Sequence, residues 1–85
     1  MNPVRKILLT AVQAGRHGVP AELSIAKAIE EGSAELKLEQ LEFDSLAWME
    51  FCISVELQSG LELTPVDIEQ MEYVAQIEDW LRARV

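Results

Sequence analysis

The sequence predicts a small all-α fold, a bundle of four helices with a long first connection that contains an extra short helix. Three observations predict it. A chain of 85 residues has room for one domain, 49% of the residues are hydrophobic, and the apolar residues recur at helical spacing in each long segment. This composition is unlike that of a disordered chain. We therefore expect one domain over residues 1–85.

The first predicted helix covers about residues 3–14. Asn2 can cap it, and Pro3 suits its first position because a helix start needs no N–H there. Gly15 and Gly18 are expected to end it. Its apolar stripe consists of Val4, Ile7, Leu8, Ala11 and Val12.

The long connection that follows is predicted to contain the extra helix at about residues 21–31, between Pro20 and Gly32. Its apolar positions, of which Leu23, Ile25 or Ile29 are expected to be buried, could pack on the core. Residues 33–43 have apolar side chains two and three positions apart, which fits neither a helix nor a strand. We expect a loop there, held by buried leucines.

The longest predicted helix covers residues 45–59 and ends at Gly60. At about 100° per residue its apolar side chains fall on two separate arcs. One arc, assigned to the core, holds Trp48, Phe51, Cys52 and Val55. The other, which we name the outer strip, consists of Leu46, Met49, Ile53 and Leu57. The polar side retains Ala47, Glu50, Ser54 and Gln58. The two apolar arcs together form more apolar surface than one contact with the core needs. Another helix or a partner should therefore cover the outer strip.

Two more helices are predicted after Gly60. An extended link leads to Pro65, because the residue before a proline avoids the α region. Thr64 can cap a short helix over about residues 65–71. The last helix covers about residues 74–84, with an apolar stripe of Val74, Ile77, Trp80 and Leu81.

Charge and composition exclude several classes of function. The net charge is −8, and residues 38–81 hold eleven acidic side chains and no basic one. Nucleic acids and anionic membranes need positive protein surface, so neither is expected as a partner, whereas a basic protein is. One cysteine and one histidine give neither a disulfide nor a metal site. No segment resembles a secretion signal or a membrane span, so we expect a cytoplasmic protein.

No residue pattern indicates catalysis, so we do not expect an enzyme. His17 lies in a glycine-flanked turn with no evident acid to orient it, and Cys52 falls on the core arc. Acidic residues are too many to single out an acid–base pair. No nucleotide-binding loop is present. Trp48 and Trp80 are expected to serve packing.

The segment Asp44-Ser45-Leu46 is the one motif that suggests further chemistry. By itself an Asp-Ser pair is a helix start, because both side chains can accept hydrogen bonds from free N–H groups. Its surroundings are Leu41-Glu42-Phe43-Asp44-Ser45-Leu46, then Gly60, then Leu61-Glu62-Leu63-Thr64-Pro65. With this ordered set and the last apolar stripe, residues 36–82 resemble the acyl carrier proteins.

That resemblance implies a monomeric carrier protein that is not an enzyme. A phosphopantetheinyl transferase would attach 4'-phosphopantetheine from coenzyme A to Ser45, with Asp44 presenting the serine. The arm would hold acyl groups as thioesters for fatty-acid, polyketide or related biosynthetic enzymes. The positions implied to contact such partners, which have basic patches, are Leu46, Met49, Glu50, Ile53 and Glu56.

The sequence also departs from the usual pattern of that family. Glu42 replaces a glycine, Ser59 a phenylalanine, and Ala47 and Leu57 residues that are often acidic. The first connection is longer than usual. These departures favour a specialised carrier over the housekeeping carrier of fatty-acid synthesis. Two alternatives stay open: an aminoacyl or peptidyl carrier loaded by an adenylating ligase, and an unmodified helical adaptor in which Asp44-Ser45 is only a cap.

Overall fold

Apolar side chains from every α-helix meet in one core in the computed structural model, which describes residues 2–32 and 34–85. The α-helices of these residues are α1 (Pro3–Gly15), α2 (Leu23–Glu30), α3 (Ser45–Ser59), α4 (Pro65–Glu69) and α5 (Val74–Arg84). A short 3-10 helix (Leu38–Leu41) lies between α2 and α3. The predicted all-α class is confirmed for the described residues, and each predicted helix lies within two residues of its observed bounds.

The start and the apolar stripe of α1 are as predicted. The Asn2 side-chain oxygen accepts a hydrogen bond of 2.9 Å from Val4 N, which satisfies one of the free N–H groups of the helix start. The stripe is buried except for Ile7, which is half-buried. After the helix, His17 and Gly18 both adopt positive φ, at 58° and 84°, and turn the chain back.

α2 is the predicted extra helix, and two of its three candidate residues contribute to the core. Ile25 and Ile29 are buried, whereas Leu23 is 73% exposed. Leu23 begins the helix on the side opposite to the two isoleucines, because two positions along a helix turn the side chain by about 200°. The prediction that Leu23, Ile25 or Ile29 is buried is therefore confirmed, through the two isoleucines.

Arg5 ties α2 to the rest of the molecule. Its Nη1 donates to the Glu30 carbonyl oxygen at 2.9 Å, at the end of α2, and its Nε lies 3.1 Å from Glu78 Oε1 on α5. Glu78 is buried, and its second oxygen lies 3.1 Å from Arg82 Nη2. A buried carboxylate needs such partners, so the two arginines compensate its desolvation.

The segment before α3 is more regular than the predicted loop. Ser33, its first predicted residue, lies outside the described residues. Lys37 and Tyr73 form an isolated antiparallel bridge, and the 3-10 helix follows directly. Leu38 and Leu41, three positions apart, fall on one side of the 3-10 turn, which explains the three-residue step in the apolar spacing. The expected burial of its leucines is confirmed for Leu36, Leu38 and Leu41.

α3 packs closely on α1. A Cβ added to Gly15 would lie 2.6 Å from Phe43 Cζ and 3.2 Å from the Ala47 carbonyl oxygen, so only glycine allows this approach. Gln58 Nε2 donates to the Ile7 carbonyl oxygen at 3.1 Å farther along the same seam. The prediction that Ala47 and Ser54 lie on a polar side was wrong, because both are buried.

Candidate functional site

Ser45 is the first residue of α3, and it is exposed. The helix is capped by the residue before it: Asp44 Oδ1 accepts a hydrogen bond of 2.8 Å from Ala47 N. Asp44 has the extended backbone that is typical of an N-cap. The two residues of the Asp-Ser pair therefore differ in role, since Asp44 is the cap and the Ser45 hydroxyl is left accessible.

The chain reverses just before Ser45 at Glu42, which has φ 55° and ψ 35°. This left-handed conformation costs a residue with a Cβ roughly 1–2 kcal/mol, and glycine adopts it freely. Glu42 occupies the position at which the carrier resemblance has glycine. The backbone conformation thus suits glycine although the residue is glutamate.

An aromatic cluster holds the segment that precedes Ser45. The Phe43 ring packs edge-on against Trp48 at 4.9 Å between centroids, and Trp48 packs against Phe51 at 5.2 Å. Phe43 also fills the space beside Gly15 of α1. Because Phe51 is fully buried, the cluster connects the start of α3 to the core. Trp48, assigned to the core arc, is half-buried within this cluster.

The outer strip remains uncovered by the described residues. Its side chains are exposed by 56% at Leu46, 51% at Met49, 52% at Ile53 and 82% at Leu57. α2 does not cover them, which excludes burial beneath the extra helix. Four apolar side chains on one exposed helix face form the kind of surface that partner proteins bind.

The two acidic residues of α3 that the sequence singled out have different surroundings. Glu56 is exposed. Glu50 Oε2 lies 3.5 Å from His17 Nδ1, and the exposed fractions of their side chains are 35% and 71%. The expectation that no acid lies beside His17 was therefore wrong. The α1–α3 packing creates this pair, and the sequence spacing of the two residues gives no signal of it.

A cleft with a volume of about 580 Å³ opens beside Ser45, between the 3-10 helix, α3 and α4. Most of its lining is apolar, with Leu38, Phe43, Trp48, Met49, Ile68 and Met71. The cleft could not be predicted from the sequence, because its walls come from three segments whose relative positions only the folded chain shows. Ser45 lines the cleft, and so does Met49 of the outer strip. An exposed hydroxyl, an apolar cleft and an apolar helix face are thus neighbours.

The start of α4 forms one wall of this cleft. Thr64 N and Thr64 Oγ1 donate to Asp67 Oδ2 at 3.0 and 2.9 Å, and Asp67 N donates back to Thr64 Oγ1 at 3.3 Å. These bonds favour the charged carboxylate and lower the pKa of Asp67. The predicted Thr64 cap is confirmed. The closed arrangement keeps Pro65 and Ile68 in place against the cleft.

Cys52 is a buried side chain, as its place on the core arc predicted. Burial, together with the charge of Asp67, raises the pKa of its thiol to about 11. The thiolate is the reactive form of cysteine, so Cys52 is a poor nucleophile at neutral pH. Trp80 packs beneath the Arg84 guanidinium, 4.1 Å from its ring centroid, which agrees with the predicted packing role.

Across residues 2–32 and 34–85, no helix combines the length and the apolar character that crossing a membrane requires. Comparison of the chain with family models, with curated proteins and with solved structures gave no match.

Proposed function

We propose that the protein is a carrier in which Ser45 holds 4'-phosphopantetheine, transferred from coenzyme A by a phosphopantetheinyl transferase. The observation that supports this most is the difference between Asp44 and Ser45: Asp44 caps α3, so the Ser45 hydroxyl is accessible. α1, α3, α4 and α5 would be the four helices of a carrier bundle, with α2 added in its first connection. The protein would act in the cytoplasm as a monomer that presents acyl groups to enzymes and is not itself an enzyme.

The start of α3 suits a phosphodiester on Ser45. The first N–H groups of a helix have no acceptor within the helix, and the helix dipole makes this end positive. Asp44 accepts from Ala47 N, so the N–H groups of Ser45 and Leu46 stand at the open end of the helix. Such an end favours a bound phosphate. The attached group would supply a thiol that forms thioesters with acyl groups.

The cleft beside Ser45 supports the same proposal. A thioester on an arm attached at Ser45 can return to the protein surface there, and the apolar lining removes apolar cargo from water at about 25 cal/mol per Å². Water would have less access to the thioester while the cargo is inside. The cleft therefore favours a carrier of acyl groups over an adaptor, which has no use for a cleft beside its serine.

The outer strip would be the surface that partner enzymes bind. Leu46, Met49 and Ile53 are half-exposed apolar side chains, and acids stand on both of their flanks, Glu50 on one and Glu56 on the other. Such a surface fits an enzyme with an apolar groove and a basic rim. The acids would speed association, and the apolar contact would set how long the complex lasts.

Measurement of the intact mass tests the attachment. The chain is incubated with coenzyme A and a promiscuous phosphopantetheinyl transferase, and we expect the mass to rise by one phosphopantetheinyl group. Ser45→Ala should abolish the gain, and Ser24→Ala, which changes an exposed serine in the first turn of α2, should retain it. Circular dichroism of both variants checks that they fold.

The alternatives are separate outcomes of this test. If the wild-type chain gains no mass, the carrier proposal is wrong and the unmodified adaptor remains. If the chain is modified, loading by acyl ligases and by adenylating amino-acid ligases distinguishes an acyl carrier from an aminoacyl or peptidyl carrier.

A further inference from the structure

Carboxylates line the mouth of the cleft beside Ser45. Glu39, Glu42 and Glu69 are all exposed, and all three line the cleft together with the apolar side chains. Glu39 comes from the 3-10 helix, Glu42 from the turn after it and Glu69 from the end of α4. The acids therefore come from two walls of the cleft, Glu39 and Glu42 from the segment around the 3-10 helix and Glu69 from α4.

Within the described residues, no basic side chain lines the cleft to balance these acids. The basic residue nearest to them in sequence is Lys37, and its Nζ is already engaged. It lies 3.7 Å from Glu72 Oε1 and 5.9 Å from the centroid of the Tyr73 ring. The cleft thus combines an apolar interior with a mouth of one charge sign.

We propose that Glu39, Glu42 and Glu69 determine which cargo the carrier shelters: an acyl group with an apolar body and no negative charge enters the cleft, and one that ends in a carboxylate stays outside. The inference rests on the proposed carrier function and specifies its substrate class. By this inference the sheltered cargo is an uncharged or amine-bearing acyl group, and acyl groups derived from dicarboxylic acids are disfavoured.

The expected discrimination follows from Coulomb's law. Two like charges at contact distance in water repel enough to weaken binding about fivefold, and the repulsion grows where the protein excludes water. Three glutamates at somewhat longer range should together disfavour a carboxylate by about tenfold at low salt. The glutamates are exposed, so salt should weaken this discrimination. An apolar chain end has no such penalty.

Trp48 provides a direct readout because its side chain lines the cleft. Trp80→Phe removes the other tryptophan and leaves Trp48 as the only indole. Coenzyme A derivatives with non-hydrolysable chains of equal length, ending in a methyl, a carboxylate or an ammonium group, are attached to Ser45 by the transferase. Emission of Trp48 and its quenching by neutral acrylamide then measure the fraction of chains inside the cleft.

We expect the methyl-ended chain to shift the Trp48 emission to shorter wavelength and to reduce its quenching. The ratio of chains inside to chains outside should be about tenfold lower for the carboxylate-ended chain at low salt, and not lower for the ammonium-ended chain. The triple variant Glu39→Gln, Glu42→Gln, Glu69→Gln should bring the carboxylate-ended chain inside. The matched variant Glu22→Gln, Glu30→Gln, Glu35→Gln removes the same charge outside the cleft and should not.

Two results would overturn the inference while the carrier function stands: equal occupancy by the methyl-ended and carboxylate-ended chains, or equal rescue by the two triple variants. The second result would mean that the net charge of the protein, and not the mouth of the cleft, repels the carboxylate. A failure of every derivative to attach to Ser45, seen as an unchanged intact mass, would instead overturn the proposed function itself.

Discussion

The two apolar faces of α3 have similar side chains and opposite surroundings. On one face Phe51 and Val55 are fully buried against the core, and on the other Ile53 and Leu57 are more than half exposed. The difference is that a complementary surface covers the first face and not the second. α1 approaches the first face closely at Gly15, whereas no described helix covers the second. Apolar character therefore does not decide burial in this molecule; a fitting neighbour does.

The faces also differ in charge. The buried face has no ionised side chain among its buried residues, which are Ala47, Phe51, Cys52, Ser54 and Val55. The outer strip lies between two glutamates. An uncovered apolar surface with charged flanks suits contacts that form and break, because the charges keep it hydrated and steer a partner toward it. In the proposed carrier, this one helix would serve the stability of the fold on one side and recognition on the other.

The largest difference should come from truncating one residue on each face. Phe51→Ala removes a fully buried ring and should lower the free energy of unfolding by about 3–5 kcal/mol. Ile53→Ala should lower it by less than about 1 kcal/mol, because exposed positions contribute little. Urea denaturation followed by circular dichroism measures both. Equal losses would mean that the outer strip is part of the core.

The next contrast compares thiols on the two faces. Burial holds the pKa of Cys52 at about 11, so at pH 8 little of it is thiolate. An exposed cysteine has a pKa of about 8.5. Iodoacetamide should therefore modify native Cys52 at least about a hundredfold more slowly than the thiol of Ile53→Cys in a Cys52→Ala background. The wild-type rate should rise as the pH approaches 11, because the thiol loses its proton there.

Mass spectrometry of samples quenched over time gives both rates. Fast alkylation of native Cys52 at pH 8 would contradict its assignment to the buried face. Unfolded wild-type protein is the control, since its Cys52 should react like an exposed cysteine.

The close approach of α1 to the buried face gives a smaller effect. Gly15→Ala places a methyl group 2.6 Å from Phe43 Cζ and should destabilise the fold by about 1–3 kcal/mol. Phe43→Leu shortens the opposing side chain, so the double variant should lose less than the sum of the two single losses. Thr10→Ala, at an exposed position of α1, is the control and should change little. Thermal or urea unfolding measures all four proteins, and strict additivity would contradict the contact.

Much of this fold could be predicted from local sequence. Helical period, Asn2, Thr64 and the glycines place the helix ends within two residues, because caps and turns act over a few positions. The 3-10 segment was missed because a run this short has no clear period. The burial of Ala47 was missed because it depends on the close approach of α1 at Gly15, and the burial of Ser54 because it depends on how the helices pack.

Some features of the candidate site could likewise be predicted from local sequence, and others could not. Ser45 and the outer strip follow from the sequence, since both are properties of one helix and its start. The cleft, the His17–Glu50 pair and the grouping of Glu39 and Glu42 with Glu69 each join segments that are separated in the chain. Their existence depends on how the helices pack, and local patterns contain no information about that.

The smallest expected effect compares the two glutamates that flank the outer strip. If a basic partner docks there, Glu56→Lys should slow modification of Ser45 by a transferase about two- to fivefold at low salt. Glu50→Lys should slow it less, because that carboxylate is half-buried beside His17 and is less accessible to a partner than the exposed Glu56. Both effects should fade as salt screens the charges.

Asp79→Lys on α5 makes the same change in net charge and is the control. The measurement is kcat/KM for coenzyme A transfer at several ionic strengths, with unfolding curves to show that each variant is folded. If Asp79→Lys slows the reaction as much as Glu56→Lys does, the acids act through the net charge of the protein and not through the flanks of the strip.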